Sequence, residues 1–165
     1  MREQRTLCHR SIACWTASSK SQQLLRSRSP KDRSRIGWRE KRTLLETFKG
    51  VGPIGSATLV ADLPELGHLD SRKIAALVGL APMSHESGDT AKRRRIKGGR
   101  MHVRNALYRC AIAATRTNKP IREKYQRLRN ANKAPNVARV AVMRKMLVIL
   151  NAMARDGTAW RDASE

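Results

Sequence analysis

The sequence predicts a mainly α-helical domain with a helix-hairpin-helix-like start, an extended or hairpin-like basic loop and a disordered basic N-terminal arm. Three observations predict this. From Trp38 onward apolar residues recur at helical spacing, and Gly and Pro cut that pattern into segments. Residues 81–98 interrupt the period with a polar, strongly cationic stretch. Residues 1–37, which include "SRSPKDRSRIG", are Ser/Arg-rich and carry no sustained period. Such a segment cannot bury enough apolar surface to offset the entropy of ordering it. The expected organisation is therefore a basic arm over 1–37 and one helical domain over 38–165, in a chain of 165 residues.

"WREKRTLLETFKGVGPIGSATLVADLPEL" reads as helix, tight turn, helix. Leu44, Leu45 and Phe48 share a face of the first helix. Gly50 and Gly52 break it, and Pro53 suits the first turn of the second, where a missing N–H is no loss. Ile54, Ala57, Leu59, Val60 and Leu63 continue an apolar stripe until Pro64. "HLDSRKIAALVGLAP" predicts a short helix capped by Asp70 or Ser71 and stopped at Gly79. After Gly98-Gly99 the helical period resumes through Val103, Leu107, Cys110, Ala111 and Ala114. Pro120 starts a helix to about Arg129, and Pro135 another to about Ala154. In that last helix Val140, Met143, Leu147, Leu150 and Ala154 alternate three and four apart. This spacing suits either a seam with another chain or an ordinary buried helix face.

Hydrophobic residues make up 40% of the chain and aromatics only 4%, so the core must rest on aliphatic side chains. The formal charge of +22, from 35 Lys and Arg against 13 acids, is unfavourable for a solitary compact protein. A polyanion relieves it, and nucleic acid comes first because each neutralised phosphate releases counterions. Cys8, Cys14 and Cys110 fit no zinc spacing and read as reduced thiols. No apolar run approaches the roughly 20 residues of a membrane span, and no membrane is expected as partner.

Two constellations have chemical content. In "KGVGPIGSA" a Gly-x-Gly turn precedes a helix whose first amides and positive dipole end face outward. Gly50 and Gly52 would let a DNA phosphate approach the backbone there, as in a helix-hairpin-helix. A glycine-capped helix followed by a proline-started one reads the same way without any ligand. In "APMSHESGDTAKRRRIKGGRMHVRNALY", Ser87-Gly88 precedes Lys92, Arg93, Arg94, Arg95, Lys97, Arg100 and Arg104, and no acid lies between Asp89 and Glu123. Arginines hold phosphate by forked hydrogen bonds and stabilise charge in phosphoryl transfer. A serine hydroxyl needs a base or a positive setting to act as a nucleophile. His85 and His102 flank the loop as candidate bases, and Glu86 and Asp89 are weak candidates for Mg²⁺. On chemistry alone this loop reads as phosphate binding more readily than as attack.

Three stretches, the one that runs from "GVGPIGSATLVADLPEL" to "VGLAP", "ESGDTAKRRRIKGGRMHVRNALY" and the one that runs from "NKPIREKYQ" to "LVILNAM", in this order and spacing, resemble the C-terminal domain of the IS-one-ten family of insertion-sequence transposases, including its IS-eleven-eleven branch. The likeness runs from about Leu44 to Trp160. It implies a DNA recombinase in which Ser87, within the Ser-Gly motif, attacks the DNA backbone. It implies DNA as partner, a guide RNA, several subunits or full-length transposase, and a bacterial cytoplasmic setting on the nucleoid. The family's four Mg²⁺-binding acids belong to an N-terminal RuvC-like domain. Residues 1–37 are too few to form it, so the resemblance implies a truncated copy that binds no cofactor itself and depends on another chain for the Mg²⁺ half of the site. Two other readings stand beside it: a non-catalytic nucleic-acid-binding module, and an interaction fragment that pairs with intact transposase through the Val140–Ala154 seam.

The charge alone makes one prediction. Affinity for a DNA duplex should fall steeply as salt rises, seen as a strongly negative slope of log K against log salt in a fluorescence titration. A flat salt response would remove the electrostatic basis of the nucleic-acid reading.

Overall fold

Proline and glycine placement sets most of the helix boundaries. The computed structural model describes residues 37–87, 90–96 and 98–161, with backbone alone for 83–87 and 90–95. All but Gly37 of the expected basic arm lies outside the described residues, as do Cys8 and Cys14. The elements are α1 (Trp38–Glu46), α2 (Pro53–Asp62), α3 (Ser71–Leu77), β1 (Pro82–Ser87), β2 (Thr90–Ile96), α4 (Met101–Thr117), α5 (Lys119–Asn130) and α6 (Pro135–Asp156). The fold is mainly helical with one antiparallel hairpin, as the sequence predicts.

Pro53, Pro120 and Pro135 all sit in the first turn of a helix, where the lost N–H has no partner to forfeit. Asp70, not Ser71, caps α3, and its carboxylate accepts from the Arg72 amide at 3.3 Å. Bonds from the Arg72 and Ser71 amides hold the Asp70 carboxyl below its ordinary value. Gly157, with φ 62°, ends α6 in the left-handed conformation.

The core is built around α6, which packs against α1, α3, α4 and α5. Met143, Leu147, Leu150 and Ala154 are buried there, together with Ala138, Val142, Met146 and Met153. The seam expected from heptad-like spacing is thus spent inside this chain, and the reading of it as a pairing surface is corrected. A helix surrounded by four neighbours buries more than one stripe. Only Val140 of that set is partly exposed, beside an open apolar groove of about 660 Å³ between α6 and the root of the hairpin. The five apolar positions expected on α4 are all buried.

On α2 the apolar stripe differs from expectation. Ile54 is 81% exposed, while Ser56, Leu59, Val60 and Leu63 are buried. Ser56 takes the inward position because α1 offers it a partner: its hydroxyl lies 2.7 Å from Glu46 Oε1 and 3.0 Å from the Pro53 carbonyl. A pattern of apolar residues cannot reveal a buried hydroxyl that is satisfied locally.

Two long-range ties close the domain. Asn151 on α6 is buried, accepts from the Gly67 amide at 2.8 Å and donates to the Leu69 carbonyl at 2.9 Å. At the C-terminal end the Trp160 amide donates to Thr47 Oγ1 at 3.0 Å, and its ring packs on Phe48 with centroids 4.8 Å apart. Replacing Asn151 by Leu strands a backbone N–H and a carbonyl. We expect Asn151→Leu to destabilise the domain by about 2–4 kcal/mol in urea unfolding. A loss below about 0.5 kcal/mol would mean that water satisfies both groups.

Candidate nucleic-acid interface

The turn between α1 and α2 rests on α4. Gly50 has φ +112°, and a Cβ there would sit 2.5 Å from the Ala114 Cα. The close approach that Gly50 permits is therefore to a neighbouring helix. Gly52 is different: it is exposed, and a Cβ there would meet nothing within 4 Å. Gly52 caps α2, so the first-turn amides of Ile54 and Gly55 have no intrahelical acceptor. A Cβ on Gly55 would sit 2.5 Å from the Cys110 sulfur, which also receives the Gly52 amide. Burial pushes the Cys110 thiol up, and the amide bond partly offsets this. Cys110 is a packing residue of the α2–α4 contact, buried and free.

Residues 82–96 form the hairpin. Ser87, the last residue of β1, pairs with Thr90, and Glu86 pairs with Ala91. His85 pairs with Lys92, whereas Met83 pairs with Arg95. Between those two pairs β1 has only Ser84 while β2 has Arg93 and Arg94, which is a β-bulge in the middle of the arginine run. A bulge bends its strand and shifts register by one. It sets Thr90, and not Ala91, opposite Ser87. Lys92, Arg93, Arg94 and Arg95 all fall on β2. Gly88, Asp89 and Lys97 lie outside the described residues.

The root of the hairpin is held by backbone. Gly79, Gly98 and Gly99 all have positive φ, at 76°, 73° and 70°. A Cβ on Gly99 would sit 2.5 Å from the Val78 carbonyl carbon, and one on Gly79 2.9 Å from the Gly98 carbonyl carbon. The Arg100 amide donates to the Leu77 carbonyl at 3.1 Å. Its guanidinium grips Glu65 with two bonds of 2.6 Å and donates to the Asp62 carbonyl at 2.9 Å. Arg104 donates to the carbonyls of Gly98 and Val78. Arg100 and Arg104, expected along a nucleic-acid strand, thus direct donors to the protein itself. Sequence reasoning missed Glu65, Asp62 and Gly79 in this role. The only available signal was a glycine on each side of the polar stretch.

The two constellations do not meet. Gly50 lies against Ala114 and Gly55 against Cys110, toward the end of α4, whereas Arg100 and Arg104 stand at its start. From Arg100 to Ala114 the helix rises about 21 Å. Charge is segregated in the same way. No acid lies between Asp89 and Glu123, and none between Glu123 and Asp156. Among the described residues, the ion pairs Arg42–Glu46, Arg100–Glu65 and Arg155–Asp156 involve no outward cation of α4 or α5, and Glu123 is the one acid on those two helices. No helix among the described residues is long and apolar enough to cross a membrane.

Fold and site together define a helical domain with a clamped basic hairpin. The profile of the Transposase IS116/IS110/IS902 family matches residues 42–126, a span that includes α2, α3, the hairpin and α4. The chain belongs to this transposase family. It is 29% identical over 119 residues to the insertion element IS116 uncharacterized 44.8 kDa protein of Streptomyces clavuligerus, a match covering 71% of this chain and 30% of that protein. It is 29% identical over 117 residues to the pilin gene-inverting protein of Moraxella bovis, covering 68% of this chain and 36% of that one. The aligned segment spans about a third of the length of either relative.

The bond with Arg100, followed by one from its own backbone, holds the Glu65 carboxyl below its ordinary value of 4.5. A depressed carboxylate stabilises the fold above its unfolded pKa, and that contribution vanishes as pH falls through the folded one. Both partners are about one-third exposed, at 35% and 33%, so solvent screens the pair. Wild type should melt above Glu65→Gln at pH 7, and the gap should close as the solution is acidified below the ordinary carboxylate range. A gap that persisted at pH 2 would show that the pair's charge is not its source.

Proposed function

We propose that this chain is a DNA-binding part of a transposase that moves DNA by phosphoryl transfer, with Ser87 as nucleophile. The observation that carries this reading is the pairing of Ser87 with Thr90, the first residue of the strand that continues into Lys92–Arg95. The hydroxyl-bearing residue and the arginine run thereby share one short hairpin. The arginines bind the scissile phosphate and offset its growing charge. The exposed first turn of α2 at Gly52 holds a second phosphate of the same nucleic acid.

In the attack, a bond forms between Ser87 Oγ and phosphorus. The bond from phosphorus to a deoxyribose oxygen breaks, and that oxygen leaves with a proton. The serine proton passes to a base, for which His85 and His102 are the candidates on this chain. Among the described residues no three His, Cys, Asp or Glu side chains come together as a metal site. An acidic metal-binding part, as in full-length transposase, completes the enzyme, and a guide RNA uses the same basic surface.

The test mixes this chain with an intact relative, its guide RNA, DNA and Mg²⁺. Wild type should yield a covalent protein–DNA adduct on a denaturing gel. Ser87→Ala should lose the adduct while duplex affinity stays within about twofold, because one neutral hydroxyl contributes little to counterion release. Salt-dependent binding with no adduct from either form would favour the non-catalytic binding module.

A further inference from the structure

The groove between α6 and the root of the hairpin is apolar in an otherwise cationic region. Val137, Val140, Ala141 and Arg144 stand at i, i+3, i+4 and i+7, so they share one face of α6. That face lines the groove together with Asn136, and Leu80, Pro82 and Ile96 line it from the hairpin root. Leu80 belongs to the buried core, whereas Val137 and Ile96 are exposed at 57% and 36%. The volume of about 660 Å³ falls inside the roughly 300–1,000 Å³ range of small-molecule sites.

Charge around the groove restricts its occupant. Arg144 is exposed and has no carboxylate partner among the described residues. α6 carries Arg139, Arg144 and Lys145 before its first acid, Asp156, and the strand that ends at Ile96 carries Lys92 to Arg95. A second copy of this chain would bring another +22 to the same place. The occupant must therefore join an apolar face to negative charge. Duplex DNA does not offer both, because its base faces stay stacked inside and only sugar and phosphate face outward. An unstacked nucleotide does, with an apolar π-face on its base and an anionic phosphate beside it. Asn136 Oδ1 accepts from Arg139 at 2.9 Å, which leaves the amide N–H groups of Asn136 for the edge of a base.

We propose that this groove holds one unpaired base of the DNA strand that crosses the hairpin, with Val137, Val140, Ala141 and Ile96 against the base and Arg144 on its phosphate. The proposal rests on the reading that the chain binds DNA, and it adds that the bound DNA is locally unpaired. Ser87 stands one strand length, about 16 Å, from Pro82 at the root. The captured base therefore lies a few nucleotides from the phosphate under attack. Holding it there fixes the strand along the hairpin and keeps it from re-pairing.

The test compares a perfect DNA duplex with the same duplex carrying one unpaired 2-aminopurine, a base whose fluorescence reports its stacking. The full chain should bind the second duplex about tenfold tighter at moderate salt, because that base needs no unpairing. The probe's emission should change on binding. Ala141→Met fills the groove and should remove the preference, with affinity for the perfect duplex within about twofold. Val137 is exposed, so Val137→Ser should keep the fold and weaken the preference by removing one apolar wall. Arg144→Gln should make the slope of log K against log salt shallower by about one. Melting followed by circular dichroism checks the fold of each variant. Equal affinity for the two duplexes with a silent probe overturns the proposal, as does a preference that survives both Ala141→Met and Val137→Ser. Tighter, Ala141-dependent binding of the same unpaired base in an RNA duplex also overturns it, by giving the groove another occupant. So does a purified intact relative that binds through Val137 and Ala141 when no base preference is seen. A wild-type chain that binds neither duplex at any salt overturns the DNA reading and this proposal together. Wild-type binding without preference overturns this proposal alone.

Discussion

The backbone of residues 98–99 lies against the backbone of 78–79 with no side chain between them, and the placement of the hairpin depends on that contact. Three glycines with positive φ make it possible, and any Cβ at Gly79 or Gly99 would enter the opposing main chain. The contact brings Arg100 to Leu77 and Glu65, and Arg104 to Gly98. The same few residues that end the hairpin therefore start α4 in a fixed direction. At the other end of α4, Gly50 plays the matching part by letting the α1–α2 turn settle on Ala114.

This economy suits a chain short of aromatic residues. Phe48 and Trp160 form a contact at the edge of the core, but most of the interior is Leu, Val, Ile, Met and Ala around α6. Small residues let helices approach closely, and close packing of aliphatic groups supplies dispersion and burial together. Cations outnumber acids in the half of the chain from the hairpin to α6, and Arg109, Arg116, Arg122 and Arg127 on α4 and α5 are exposed. The acids near α1–α3 are drawn into local work: Glu46 at Arg42 and Ser56, Glu65 at Arg100, Asp70 as a cap. Neutralising contacts stabilise the frame, while the unpaired positive face keeps its attraction for a polyanion.

Among the described residues, the helices, their order and the hairpin were legible because they depend on local signals. Pro53, Pro120 and Pro135 mark helix starts, Gly79 marks an end, and the α4 apolar period is regular enough to name its buried residues. Ile54 was misplaced, and the Val140–Ala154 stripe stayed open between a seam and a buried helix face, for a common reason. Periodicity says that a face is apolar, but it does not say what covers that face, or whether a satisfied Ser56 takes the inward place. The site was legible as residue types and not as geometry. The arginine run and Ser87 are visible in one line of sequence. That Arg100 and Arg104 turn back to the protein depends on Glu65 and on three carbonyls, none of which a linear pattern connects to them.

The hairpin also acts as a lever. From Pro82 at its root to Ser87 at its tip the strand rises about 16 Å. A tilt of about 10° at the root would carry the tip about 3 Å sideways, as far as the whole gap between reacting atoms in a near-attack arrangement. Angular stiffness at Gly79, Gly99 and the Glu65–Arg100 fork then governs aim at a distance, whatever the tip itself contains. The bulge at Arg93–Arg94 adds a bend part-way along the arm, so aim is set at two joints and not at one.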